Sequence, residues 1–150
     1  CNLAPMQKLI RDNCDGRLRT VLYRRMMFRI AEQIAKKNHL KALLTGEALG
    51  QVASQTVVNM GTINVATDML VLRPLVGMDK NEVIKIAREI DTFDLSNVQV
   101  PDSCTVFAPK SPSTRVSPGL ASHEEERIPD WHNVMAEIID HIESIKPEIS

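Results

Sequence analysis

Residues 42–56 read Ala42-Leu43-Leu44-Thr45-Gly46-Glu47-Ala48-Leu49-Gly50-Gln51-Val52-Ala53-Ser54-Gln55-Thr56. The apolar run Ala42–Leu44 is too short for a stable helix. It stops at Thr45-Gly46, where glycine permits a tight turn and the close approach of a ligand. Gly50, Ala53 and Ser54 leave room beyond it. Gln51 and Gln55, four apart, share one side of a helix expected to start here, run through Val57 and Val58 to about Met60 and end at Gly61. A helix start after a strand offers free backbone N–H groups to an anion, which in an open α/β sheet means a phosphate at the carboxyl ends of the strands.

The flanking sequence repeats this alternation. Met69-Leu70-Val71-Leu72 reads as a second short buried strand, extended through Arg73-Pro74-Leu75-Val76 and closed by Gly77, with Pro74 marking an edge or the strand's end. Asp79 and Glu82 then form a capping-box pattern for a helix whose core stripe is Val83, Ile86, Ala87 and Ile90. Lys80 falls on the first helical position, where the helix dipole disfavours a cation. Either the two acids compensate it or it serves an anionic ligand.

Upstream, Met6, Leu9 and Ile10 give a short helix over Pro5–Asn13, stopped by Asp12-Asn13-Cys14-Asp15-Gly16. A long helix is expected over Arg17–Lys37, with Met27, Ile30, Ala31 and Ile34 as its buried stripe. Arg17, Arg19, Arg24, Arg25 and Arg29 lie in a stretch of thirteen residues that contains no acid. Such a run is either a solvated basic face or a phosphate-binding one, since arginine's fork serves both. Downstream, periodicity is lost from Asp94 to Leu120 while Pro101, Pro109, Pro112 and Pro118 recur, so a long loop is expected. It carries Cys104, which is either an inert buried thiol or one activated by Lys110 and Arg115. Glu124–Glu126 reads as a solvated helix face. A final amphipathic helix begins near Trp131, capped by Asp130, with Val134, Met135, Ile138, Ile139, Ile142 and Ile145 on its stripe.

Composition narrows the class. A chain of 150 residues fits one domain with a sizeable core, and a net charge of −1 leaves any nucleic-acid binding to local patches. Three cysteines without Cys-x-x-Cys spacing, and four histidines without ligand spacing, argue against a disulfide framework or a metal site. A reducing, cytoplasmic setting is expected. No apolar run is long enough to span a membrane as a helix, and no secretory signal is evident. The chain opens on Cys1 rather than Met and reads as a piece of a longer protein.

Four stretches, Tyr23–Glu32, Thr45–Thr56, Leu72–Lys80 and Asp102–Phe107, resemble in order and spacing the tRNA uridine sulfurtransferase family, which makes 4-thiouridine. The resemblance covers roughly residues 1–115. Residues 116–150 are expected to be a linker and a C-terminal amphipathic helix. The resemblance implies the C-terminal part of a PP-loop ATP pyrophosphatase domain, an α/β fold with a parallel sheet and flanking helices. It further implies that ATP adenylates a uridine carbonyl oxygen with release of pyrophosphate, and that a persulfide sulfur then displaces AMP; magnesium is expected with the triphosphate.

Residue by residue, Arg24, Gly46 and Gln55 match positions that contact ATP, and Lys80 matches a lysine important for activity. Cys104 matches a cysteine that forms a disulfide with the sulfur-transfer cysteine in members that carry one. Arg25, Arg73 and Lys110 are candidates for phosphate or tRNA contact on charge alone. Expected partners are tRNA and a cysteine desulfurase or rhodanese-type persulfide donor. The family's Ser-Gly-Gly-x-Asp-Ser loop is not among the 150 residues, nor is its N-terminal tRNA-binding domain or a rhodanese domain. Taken alone, these residues are therefore expected to be inactive, to bind ATP weakly or not at all, and to self-associate through an uncovered half-sheet. A non-catalytic RNA-binding or assembly module is the alternative. A cysteine hydrolase built on Cys104 is disfavoured because no histidine sits in a partner motif.

Overall fold

The computed structural model describes residues 1–99, 107 and 109–145. Cys104 lies outside the described residues. The chain begins with α1 (Ala4–Asn13), where Pro5 sits in the first turn and its missing N–H is of no consequence. A 3-10 turn over Gly16–Leu18 leads into α2 (Arg19–Lys37). Strand β1 (Ala42–Leu44) follows, then a 3-10 turn at Ala53–Gln55 and α3 (Val57–Asn64). Strand β2 (Leu70–Leu72) pairs parallel with β1, Leu43 standing opposite Val71. Beyond it come α4 (Lys80–Glu89), the short α5 (Phe93–Ser96), α6 (Pro118–Glu126) and α7 (Trp131–Asp140). The expected parallel α/β arrangement is present, as a two-stranded sheet with flanking helices.

The helix after β1 starts later than the sequence led us to expect. Residues 46–52 are irregular, and α3 starts only after Thr56, whose hydroxyl accepts from Asn59 N at 3.2 Å. A threonine N-cap explains the boundary. Gln51 and Gln55 therefore do not share a helix face, and α3 runs through Gly61 rather than ending there. The glycine that needs its freedom is Gly50, with φ of 76°.

The core lies on one side of the sheet and is built by helices. Met6 and Ile10 of α1, Val21, Leu22 and Met26 of α2, Ile63 of α3 and Ile138 of α7 are buried together with Val116 and Ile128. Of the stripe expected for α2 only Ile30 is buried, while Met27, Ala31 and Ile34 are half-buried; α2 packs against α1, α3, α6 and α7, so Val21, Leu22, Tyr23, Met26 and Phe28 are buried instead. Leu43 and Val71 point into this cluster, whereas Leu44, Leu70 and Leu72 on the opposite sheet face are exposed. This corrects the expectation of buried strands. It corrects the stripe of α4 as well: none of that helix is buried.

Two charge readings also change. Glu124 and Glu125, expected on a solvated face, are buried, because each meets groups from the N-terminal third of the chain. Asp15 N donates to Glu124 Oε2 at 2.6 Å, and Glu125 receives Arg25 and Arg29. Asp130 does not cap α7: it sits in the left-handed region and accepts from Asn133 Nδ2 instead. Ile142 and Ile145 follow the end of that helix. Cys14 is buried beside Glu124. Burial first, and the nearby carboxylate second, push its thiol up to about 11. Iodoacetamide at neutral pH should therefore label exposed Cys1 and spare Cys14, as read by peptide mass mapping. Equal labelling of the two would contradict this environment.

Candidate nucleotide site

The carboxyl ends of β1 and β2 lie side by side because the strands are parallel, and the chain leaves both in loops. Thr45 N donates to Leu72 O at 3.0 Å and Leu49 N to Val76 O at 3.3 Å, so the two loops stay together beyond the strands. Between them and the first turns of α4 lies a cleft of about 240 Å³ lined by Gly46, Ala48, Gln51, Leu75, Met78, Lys80, Val83 and Ile84. It is thus apolar, with Lys80 and Gln51 as its polar groups. Lys80 is held at the start of α4 by the capping box: Glu82 N donates to Asp79 Oδ1 at 3.0 Å and Asp79 N to Glu82 Oε2 at 2.7 Å. Both acids are occupied with backbone, and neither forms an ion pair with Lys80 among the described residues. A Cβ placed on Gly46 would meet no protein atom within 4 Å. The space over Gly46 is open.

Beside the cleft, Glu47 is buried and holds two arginines. Arg24 Nη2 donates to its Oε1 at 2.6 Å, and Arg73 Nε to its Oε2 at 2.8 Å. Sequence reasoning named both arginines but missed this carboxylate. The available signal was the run of five arginines without a local acid, which requires carboxylates from elsewhere in the chain.

Gly46 and Lys80 meet in the cleft, while Arg24 and Arg73 are outside its lining and meet each other at Glu47, between the lining residues Gly46 and Ala48 in the chain. Gln55 stays outside the lining, tied to the same loop by Gly50 N donating to its carbonyl at 2.9 Å. Lys110 is exposed. Arg25 is not available to a ligand: it is 1% exposed, with Nε and Nη2 on Glu125 and Nη1 on the Thr62 carbonyl at 2.6 Å. Its position on the inward side of α2 makes it a core cation, which corrects the reading from charge alone.

Nucleotide chemistry fits part of this set. Cations at the carboxyl edge of a parallel sheet and open space over a glycine suit an anionic ligand. The cleft is small for a whole nucleotide and is better described as one wall of a pocket. For magnesium, no group of three His, Cys, Asp or Glu side chains gathers among the described residues.

The fold is of the parallel α/β class, and the cleft at the carboxyl ends of its strands is its candidate ligand site. The chain belongs to the ThiI family, "Thiamine biosynthesis protein (ThiI)", whose model matches residues 1–129 and so takes in α6. It is 48% identical over 145 residues to the "Probable tRNA sulfurtransferase" of Finegoldia magna, a match covering 97% of this chain and 37% of that protein. The protein of the same name in Coxiella burnetii is 40% identical over 141 residues, 94% of this chain and 36% of that one. Among solved structures, a crystal structure of a 4-thiouridine synthetase–RNA complex with bound ATP is similar. Its TM-score is 0.87 at 40% identity, covering 93% of this chain and 36% of that chain. The chain therefore spans little more than a third of the length of these relatives.

Proposed function

We propose that this chain is the C-terminal part of the ATP-using domain of a tRNA uridine sulfurtransferase, with Arg24, Gly46, Gln55 and Lys80 on the nucleotide side. The observation that carries the reading is the meeting of Gly46 and Lys80 in one cleft beside Arg24, in a chain similar to an ATP- and RNA-bound 4-thiouridine synthetase. In the reaction, a uridine carbonyl oxygen attacks the α-phosphorus of ATP and pyrophosphate leaves. The outer sulfur of a persulfide then attacks the activated carbon and AMP departs with the former carbonyl oxygen, leaving the base joined to the donor cysteine by an S–S bond; a thiol, the role given to Cys104, attacks the donor sulfur, forms a disulfide with it and releases 4-thiouridine. Adenylation turns a poor leaving group into a good one, so the protein's work is positioning and neutralising phosphate charge. Cys104 is assigned to the sulfur path, with a cysteine desulfurase or rhodanese-type protein as the persulfide donor. Magnesium with the triphosphate, a homo-oligomeric state and a cytoplasmic location complete the proposal. No described helix is long and apolar enough to cross a membrane.

The test is made on the protein of the full reading frame. Calorimetric titration should show ATP binding, and tRNA incubated with ATP and a persulfide donor should gain 4-thiouridine. Gly46→Ala should keep its thermal midpoint, since the added methyl meets no protein atom, and should weaken ATP binding by roughly tenfold or more if the nucleotide fills that space. Wild-type protein that binds RNA in a salt-dependent way but neither binds ATP nor thiolates tRNA would favour the non-catalytic module instead.

A further inference from the structure

Glu47 follows Gly46 at the carboxyl end of β1 and is 1% exposed. Its carboxylate is shared by groups from three places in the fold. Oε1 accepts from Arg24 Nη2 of α2 at 2.6 Å; Oε2 accepts from Arg73 Nε beyond β2 at 2.8 Å and from Thr45 Oγ1 at 3.1 Å. One arginine would suffice to compensate a buried carboxylate. The second leaves the cluster with a surplus positive charge, at the sheet edge where ligands of α/β proteins bind.

The two arginines differ in how firmly they are held. Arg73 also donates from Nη2 to Asn64 Oδ1 at 3.1 Å and lies 5.8 Å from the Phe28 ring centre, so it is braced on several sides. Arg24 is held by Nη2 alone. Its Nε is buried and has no partner among the described residues. An arginine with spare donors, fixed at one nitrogen next to a second cation, is oriented for an anion that has yet to arrive. Without the carboxylate between them, the two guanidinium groups would repel and Arg24 would regain its rotamers.

We propose that Glu47 is a positioning residue, whose carboxylate sets the Arg24 guanidinium so that its remaining donors meet the phosphates of the nucleotide. This rests on the reading of Arg24 as an ATP contact. Glu47 does not touch the nucleotide; it acts by making Arg24 ready, so that binding does not have to order it. A purely structural tie between α2 and the strand ends predicts a different outcome: the Arg24–Glu47 bond is that tie, so its loss would lower the thermal midpoint along with the affinity, whereas loss of positioning lowers affinity at a constant midpoint.

The experiment is a double-mutant cycle in the full-reading-frame protein, with ATP affinity measured by calorimetry and the thermal midpoint recorded for every variant. Glu47→Gln should weaken ATP binding on the order of tenfold, the scale of one charge-assisted hydrogen bond. In an Arg24→Ala background the same change should have no further effect, since nothing is left to position. Glu47→Asp, which keeps the charge on a shorter arm, should recover part of the affinity. The proposal is overturned if Glu47→Gln binds ATP like wild type, or if it weakens binding equally with and without Arg24. Loss of the folded state in both Glu47 variants would assign the residue to stability and overturn it too. Wild-type protein that fails to bind ATP sinks the nucleotide-site reading itself. Intact wild-type binding with an indifferent Glu47→Gln sinks only the positioning role.

Discussion

Glu125→Ala is expected to lower the unfolding free energy by about 3–5 kcal/mol, the range for removing one partner of a buried ion pair. Glu125 of α6 receives Arg25 through Nε at 2.6 Å and Nη2 at 2.9 Å, and Arg29 through Nη1 at 2.6 Å and Nη2 at 2.9 Å. Arg29 lies partly at the surface and can turn to water. Arg25 cannot: it is enclosed among α2, α3 and α6, and a guanidinium does not shed its proton. Removing the carboxylate strands that charge in the core. Replacing both partners, as in Arg25→Met with Glu125→Leu, should restore much of the loss, because apolar packing often equals a buried pair. Urea unfolding followed by circular dichroism decides the matter. A loss for Glu125→Ala below about 1 kcal/mol would mean that the pair behaves like a solvated one.

The same pair gives a pH dependence. Burial pushes the Glu125 carboxyl up, but hydrogen bonds from Arg25 and Arg29 outweigh it, and the net position is below the usual glutamate range. A group whose folded pKa is lowered binds fewer protons in the folded state than in the unfolded one, so its contribution rises with pH. That contribution is complete above the ordinary glutamate range and is lost as pH falls through the lowered value. The stability gap between wild type and Glu125→Ala should therefore narrow on acidification and stay constant around neutrality. A gap that widens in acid would reverse the sign assigned here.

What the sequence revealed follows from the range of the interactions involved. The cap of α4 was legible because Asp79 and Glu82 satisfy each other within three residues, and both hydrogen bonds are present. The short run Ala42–Leu44 was legible as a strand because it stops at a loop-forming Thr-Gly pair. The burial of Glu125 was not legible, since its partner Arg25 lies 100 residues away and three successive glutamates look solvated on any local reading. Glu47 was hidden for the same reason: its arginines come from 23 residues before and 26 residues after it. Gly61 misled the reading of α3 because a glycine inside a helix costs only about 1 kcal/mol, which tertiary packing readily offsets. Similarly, apolar strand residues announce that something covers them, and here Leu44, Leu70 and Leu72 remain exposed.

Lys80→Ala is expected to separate activity from stability in the full-length protein. Lys80 opens α4 at the end where the helix dipole is positive, an unfavourable place for a cation. It is exposed and forms no ion pair among the described residues, so its removal takes away no folding contact. The thermal midpoint should stay constant or rise slightly. Turnover should move the other way. If Lys80 meets charge that develops on the phosphates as pyrophosphate leaves, kcat should fall by about 10²–10³-fold, the usual loss for one preorganised transition-state donor. Its effect on ATP affinity should be smaller, because a contact that strengthens in the transition state appears in kcat more than in ground-state binding. Lys80→Arg should recover part of the rate by keeping the charge, though not the compact ammonium. Pyrophosphate release with tRNA measures the rate, and a thermal melt supplies the second axis. A variant that loses stability and rate together would make Lys80 a structural residue. One that keeps kcat to within about threefold would remove it from the reaction. A fall in kcat at constant midpoint would account for a cation at the start of a helix that disfavours it, next to two acids that bond backbone N–H groups instead.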